Sequence, residues 1–261
     1  HFQIHESIRS ALFERILFVN LSDLKPGLHH VDIRIDYTMR GRNRSCFNDN
    51  YRTTGKKPFP LLLSSTPTPC FEGYIAGEMH AHTEYTSDQI EFAASIRTNA
   101  VMATAMGLRF YCATDHSYDL DDEDGDYSRN DPDLKKWRRF NHEIIEFNRE
   151  TEGFCIIPGE EVSAGSKRGR NLHLLVYNSD RFFPGSGDSG DRWFYRHSEH
   201  SIDEISRSLD GESLAVAAHP VDKVPWIQRL LLGRAEWRLE DIGYASLRFV
   251  QIINGSHEKQ R

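Results

Sequence analysis

Residues Gly73–Gln89 read GYIAGEMHAHTEYTSDQ, and what this stretch encodes decides how the rest of the chain is understood. A short apolar run, Gly73-Tyr74-Ile75-Ala76-Gly77, leads into His80-Ala81-His82. Residues two apart in a strand project from the same face, so the two imidazoles converge on one point. Neutral imidazole suits Zn, Fe and Mn-type ions, and carboxylates add hard oxygen donors and the negative charge that a divalent ion needs. The same kind of residue returns at or near the end of later apolar stretches: Asp88, His116 in Thr114-Asp115-His116, Glu161 in Pro158-Gly159-Glu160-Glu161, His173 in Asn171-Leu172-His173, and His219 in Ala218-His219-Pro220. A lone histidine in an apolar run is often a satisfied core residue. Seven candidate ligands in succession, His80, His82, Asp88, His116, Glu161, His173 and His219, point instead to a multinuclear hydrolytic site.

Between these positions the apolar period changes from two to about four. Ile90, Ala93, Ile96, Ala100, Ala103 and Met106 recur at helical spacing up to Gly107, and a strand follows at Phe110 to Thr114. Asp131 with Pro132 marks the start of a second helix, whose stripe is Leu134, Trp137, Phe140, Ile144, Ile145 and Phe147. Strands are predicted at Phe154–Pro158, Leu172–Tyr177 and Leu214–Ala218, with a capping box at Ser201-Ile202-Asp203-Glu204 opening a third helix. Alternating strands and helices imply a parallel α/β sheet or barrel, and the active-site end of such barrels is the C-terminal face.

The motifs GEMHAHTEYTSDQ (77–89), ATDHSYD (113–119), IIPGEEVSAG (156–165), NLHLLVY (171–177) and AVAAHP (215–220) resemble, in order, those of the PHP (polymerase and histidinol phosphatase) superfamily. The resemblance covers about residues 73 to 255. It implies a distorted (β/α)7 TIM-like barrel of PHP type, two or three bound divalent ions (Zn, Mn or Fe) and, in many members, phosphoester hydrolysis. By motif, His80, His82 and Glu161 hold one ion, Glu161 bridges to a second held by His173 and His219, and Asp88 and His116 contribute to a third. The family's Gly-x-Glu pattern selects Glu161 over Glu160, and strand alternation agrees that only one of two adjacent residues faces the barrel mouth. A protonated His116 or Asp115 is the expected aid to the leaving group. The family's closing Ser-Asp-x-His element is absent; VQIINGSHEKQR (250–261) resembles the strand before it, so the barrel is expected to be incomplete at its C-terminus and the chain a piece of something longer.

Residues 1–72 read differently, as a small β-rich accessory domain and linker ahead of the hydrolase domain at 73–261. Val31 to Tyr37 alternates with period two, Arg40 to Lys57 is polar and loop-like, and Pro58, Pro60, Pro67 and Pro69 punctuate the approach to the second domain.

With 261 residues, 38% of them hydrophobic, and a mean hydropathy of −0.59, a soluble globular chain with a sizeable core is expected. No apolar run approaches the roughly 18 residues of a membrane span. The net charge of −7 disfavours a nucleic acid duplex as partner. Bound cations would offset that charge locally, so a small anionic substrate remains the expected partner, with the oligomeric state open. The expected compartment is cytoplasmic by default, with export open if a leader preceded His1. Among the four cysteines, Cys112 and Cys155 are expected in the core, while Cys46 and Cys70 stand either side of a loop.

Two motif matches are discounted. Gly185-Ser186-Gly187-Asp188-Ser189-Gly190 satisfies GxGxxG but lacks a strand before it and a helix after it, so it reads as a flexible loop. The acidic run Asp119 to Asp126 would put Leu120 at the first position of a calcium loop, which excludes an EF-hand. The chain is thus expected to be a metal-dependent hydrolase, in the first place a phosphoesterase. The alternatives are an ester, amide or carbamate hydrolase on the same fold, or a non-catalytic metal-binding module.

Overall fold

The computed structural model describes residues 7–8, 13–48, 57–66, 71–86, 93–189, 197–244, 247 and 249–252, and within it the chain separates into two units, His1–Cys70 and Phe71–Arg261. The first holds β1 (Gly27–Val31), β2 (Arg34–Met39), β3 (Arg42–Phe47) and β4 (Phe59–Leu63), paired as two antiparallel two-stranded sheets, β1 with β4 and β2 with β3. Arg40 and Gly41 both take positive φ, 50° and 71°, the geometry of a tight hairpin turn. That turn folds residues 42–47 back as a strand where the polar composition implied a loop.

In the second unit the order is β5 (Gly77–Ala81), α1 (Ile96–Ala105), β6 (Phe110–Ala113), α2 (Ser117–Leu120), β7 (Asp122–Glu123), β8 (Asp126–Asn130), α3 (Lys135–Glu150), β9 (Cys155–Gly165), β10 (Asn171–Tyr177), α4 (Ile202–Ser208), β11 (Leu214–Ala217), α5 (Trp226–Leu231), α6 (Leu239–Tyr244) and β12 (Phe249–Val250). Six of these strands form one sheet in the order β12-β11-β10-β9-β6-β5, curled into half a barrel, while β7 and β8 make a separate hairpin.

The expected (β/α)7 TIM-like barrel is therefore not what the chain forms. Only the pairs β5–β6, β6–β9 and β11–β12 are parallel; β9–β10 and β10–β11 are antiparallel. The cause is local. Residues 166–170 join β9 to β10 through a turn in which Ser166 N donates to Arg170 O at 2.7 Å and Gly169 takes φ +65°. Five residues reverse a chain, whereas a parallel crossover needs a dozen or more. Helix-bearing crossovers join the parallel pairs at α1, at α3 and again at α5–α6 between β11 and β12, and the pattern is broken at β10, which runs antiparallel to both its neighbours.

Strand alternation then sorts the side chains. Val162, Ala164, Leu172, Leu174 and Val176 pack with Ile202 and Ile205 of α4, and Tyr111 and Ile156 pack with Ile96, Ala100, Phe140 and Ile144 of α1 and α3. The opposite, concave face holds Cys112, Leu175, Tyr177, Val216 and Ala218. Tyr177 Oη reaches across it to donate to Met79 O at 2.7 Å, although two strands lie between β10 and β5. Two helix starts follow their caps: Ser95 accepts from Thr98 N ahead of α1, and the capping box at Ser201 and Glu204 is complete. The second predicted helix starts later than Asp131-Pro132 implied, at Lys135 after Leu134 in a left-handed conformation (φ 51°), and Asp131 accepts from the amides of Asp133 and Lys135 in the turn before it. Cys112 is buried, whereas Cys155 is exposed rather than in the core; Cys70 and Asp88 lie outside the described residues.

Candidate metal centre

Glu161 stands in the middle of β9 with its side chain on the concave face. Its register partner is Leu175, and His173, two residues before Leu175, shares that face. Because β10 runs antiparallel, His173 near its start reaches the same rim as residues at the ends of the parallel strands. His80 lies at the end of β5 and His82 just beyond it, His116 caps α2 after β6, and His219 follows β11.

The result is one buried carboxylate ringed by five imidazoles. Oε2 of Glu161 lies 3.1 Å from His80 Nε2, 3.0 Å from His82 Nε2 and 3.3 Å from His116 Nδ1. Oε1 lies 2.5 Å from His173 Nδ1 and 3.0 Å from His219 Nε2. The rings follow one another around the carboxylate, with centroid separations of 5.3 Å (His80–His82), 4.6 Å (His82–His116), 5.4 Å (His116–His173), 5.3 Å (His173–His219) and 5.8 Å (His219–His80). The carboxylate thus divides the histidines into a group of three at one oxygen and a pair at the other. His219 adopts φ +31°, a left-handed backbone uncommon for a non-glycine residue and of a kind that clusters at functional sites.

These groups can hold a metal ion. Two triplets, His80–His82–Glu161 and His116–Glu161–His173, each bring three ligand atoms within 4.8 Å of one another. In the first the mutual distances are 3.0, 3.1 and 3.3 Å, against about 3.4 Å between two donors bound at about 2.1 Å on a tetrahedral ion. The donor chemistry agrees: imidazole nitrogens and a carboxylate are the ligands of Zn and related ions, whereas a purely structural interior rarely gathers so many buried titratable groups around one charge.

The surroundings orient the ligands. Asp188 Oδ2 lies 2.8 Å from His173 Nε2, which leaves Nδ1 to face Glu161; Asp188 also accepts from Ser163 Oγ, and Arg234 Nε is 3.9 Å away. Gln251 Oε1 lies 3.2 Å from His80 Nδ1, leaving Nε2 for the centre, and accepts from His219 N at 2.8 Å. Tyr118 stacks on His116 at 4.5 Å. Burial pushes Glu161 up, but the imidazoles, His173 foremost and then His80 and His116, outweigh it and hold the carboxyl well below the ordinary range. Burial and Arg234 push His173 down, and Glu161 and Asp188 more than reverse this, raising it to about 9.

Asp115 does not join the cluster. Its Oδ1 accepts from Thr83 N and Thr86 N, both at 2.8 Å, and Oδ2 accepts from Thr83 Oγ1 at 2.9 Å, so both oxygens hold the turn that follows His82. Glu160 points to the other face of β9, where it accepts from Phe183 N and Ser117 Oγ, each at 3.1 Å, and burial raises it to about 8.

Three residues at the centre escaped the sequence reading: Asp188, Arg234 and Gln251. Asp188 sits in the glycine string discounted as a flexible loop, and that loop is in fact packed against the sheet. A Cβ at Gly185 would meet Ser163 N at 2.7 Å and one at Gly187 would meet Asn171 Oδ1 at 2.5 Å, so the glycines permit close approach rather than mobility. An aspartate framed by glycines and serines was the available signal. Arg234 and Gln251 carry none, being single polar residues outside any motif.

Beside the centre lies a cavity of about 250 Å³. A second cavity, about 360 Å³ and lined by Glu84, Asp124 and Arg139 among others, opens at the β7–β8 hairpin. Comparison with models of known protein families finds no match, and comparison with curated protein sequences finds none. No helix among the described residues is long and apolar enough to cross a membrane.

Proposed function

We propose that the chain is a metal-dependent hydrolase acting on phosphate esters through a centre of at least two divalent ions, Zn, Mn or Fe. The observation that carries this reading is the division of five imidazoles between the two oxygens of the single buried carboxylate of Glu161. One set comprises His80, His82 and Glu161 and the other Glu161, His173 and His219; His116, also at Oε2, lies between them in the ring. Ions held in such sets supply Lewis acidity and a water whose pKa is lowered toward neutrality.

What the chain's own residues contribute is position and charge. Glu161, held anionic, keeps the negative charge that retains cations at the rim. Asp188 and Gln251 fix which ring nitrogen of His173 and of His80 faces the centre, as outer partners of ligating histidines generally do. To His116, buried between Tyr118 and His82, we assign the proton for a departing alkoxide. The motifs that resemble the PHP superfamily fall at these same positions, which supports hydrolysis as the chemistry.

The test is metal content and turnover measured together. The purified chain is expected to carry or take up Mn or Zn by elemental analysis and to hydrolyse p-nitrophenyl phosphate faster than a carboxyl ester or a carbamate. The H80A/H82A double variant is expected to lose metal and turnover in parallel; full turnover in that variant refutes the assignment.

A further inference from the structure

The cavity beside the centre has His173 and His219 on one side and is completed by Lys223, Val224, Arg234 and Trp237. We infer that this cavity is the substrate pocket, that Arg234 clamps the phosphoryl group there, and that the substrate is a small phosphate monoester. The inference rests on the hydrolase reading and names the substrate class of that site.

Arg234 Nη2 lies 3.3 Å from His173 Nδ1, the nitrogen that also faces Glu161 Oε1. A guanidinium has donors only, and Arg234 lines the cavity beside the ring of histidines, so it offers N–H donors where an anion engaging the centre would lie. The nearest carboxylate, Asp188, is 3.9 Å from Nε and is already engaged by His173 and Ser163, so it leaves most of the guanidinium donors uncommitted. Planar, bidentate recognition of phosphate is what an arginine in that state provides.

The side chain is delivered by a fastened main chain. Asn171, at the start of β10, donates its N–H to Gly233 O at 3.2 Å, accepts from Ala235 N at 2.9 Å and donates from Nδ2 to Leu232 O at 2.8 Å. Arg234 is thus pinned on both sides to the strand that carries His173. Such preorganisation lowers the ordering cost of binding.

The other charges around the cavity do not cancel the clamp. Glu236 is taken by Arg229 at 2.5 Å and by Val224 N at 3.3 Å, and Asp222 lies 4.0 Å from His219 Nδ1. Lys223 is exposed and has no ion-pair partner among the described residues, so it adds an approaching positive charge. Val224 and Trp237 give the carbon part of the ester an apolar wall. At about 250 Å³ the cavity lies below the roughly 300–1,000 Å³ of pockets for drug-sized ligands, which suits a small ester.

The experiment titrates inorganic phosphate into the full chain by calorimetry, with and without saturating Mn, for wild type, R234Q, R234K and the surface control R207Q. The expected result is that R234Q keeps wild-type metal content and thermal stability but binds phosphate at least tenfold more weakly and loses as much in kcat/KM toward p-nitrophenyl phosphate. R234K should fall between, and R207Q should match wild type. Wild-type phosphate affinity in R234Q overturns the proposal, as does a loss of phosphate binding that only tracks a loss of metal. A wild-type chain that takes up no metal sinks the hydrolase reading alone. In that case metal-free phosphate binding that R234Q weakens sustains the anion pocket, and no binding by the metal-free wild type overturns it too.

Discussion

Gln251 and His80, 171 residues apart, meet at 3.2 Å between the side-chain oxygen of one and Nδ1 of the other. Gln251 follows β12 and His80 ends β5, the two edge strands of the six-stranded sheet, so this contact spans the open side of the half-barrel. The same oxygen accepts from His219 N and thereby ties a second histidine of the ring. Removing an outer partner of a ligating histidine costs about 10–100-fold in metal affinity. Because a neutral amide is a weaker acceptor than a carboxylate, Q251A is expected near the lower end, about tenfold, and Q251E should stay close to wild type. Competition with a chelating dye measures both; unchanged affinity in Q251A refutes the role.

Asp188 is expected to matter more. It is buried, lies 2.8 Å from His173 Nε2, and is held well below the ordinary carboxylate range, where burial is outweighed by His173 and Arg234. In D188N the amide still meets Ser163, but the charge that supports His173 is gone. Metal affinity should fall toward the hundredfold end, with turnover recovered by excess metal. Turnover that stays low at saturating metal would show that Asp188 does something other than hold a ligand.

How far this centre was legible depended on whether a residue came with neighbours that mark it. His80, His82, His116, Glu161, His173 and His219 stand at the ends of, or within, short apolar strands, and strand alternation alone separates Glu161 from Glu160. Asp188 acts through a hydrogen bond to His173 and Gln251 through hydrogen bonds to His80 and His219, relations across the sequence that no local period records. The fold was misread for a similar reason. Periodicity identifies strands but not their direction, and the reversal between β9 and β10 is set by the five residues 166–170. It is the antiparallel direction of β10 that brings His173, near the strand's start, to the rim where the other histidines lie, so this convergence rests on the reversal that periodicity missed.

Proton uptake gives the metal-free chain a characteristic pH dependence. His173 is raised from 6.5 to about 9, with burial and Arg234 opposing and Glu161 and Asp188 prevailing, and Glu160 is raised by burial from 4.5 to about 8. A raised group binds a proton in the folded state that the unfolded state has lost, so its contribution is complete below the unfolded value and disappears as pH climbs through the folded one. Glu161 and Asp188, shifted downward, are ionised in both states above about pH 6 and add no slope there. Stability in EDTA should therefore fall between about pH 4.5 and 8 through Glu160 and between about pH 6.5 and 9 through His173, by at most about 1.4 kcal/mol per pH unit for each group. Added Mn or Zn should flatten the fall, since an ion at His173 displaces its proton. Urea unfolding at several pH values measures this, and a flat profile in EDTA contradicts it.

Asp115, expected from sequence to move a proton, is placed to hold a turn instead. Its carboxylate satisfies the buried amides of Thr83 and Thr86 and the Thr83 hydroxyl, and Thr83 directly follows His82. Leaving two buried N–H groups unmet costs about 1–3 kcal/mol each, so D115A should lose about 2–6 kcal/mol and lower metal occupancy through a displaced His82. Asn can still accept from both amides, which predicts that D115N loses little stability and keeps the wild-type pH profile of kcat. The decisive comparison is D115N at full metal occupancy. If its turnover collapses there while its unfolding midpoint stays within a degree or two of wild type, Asp115 belongs to the chemistry and the structural role assigned to it fails.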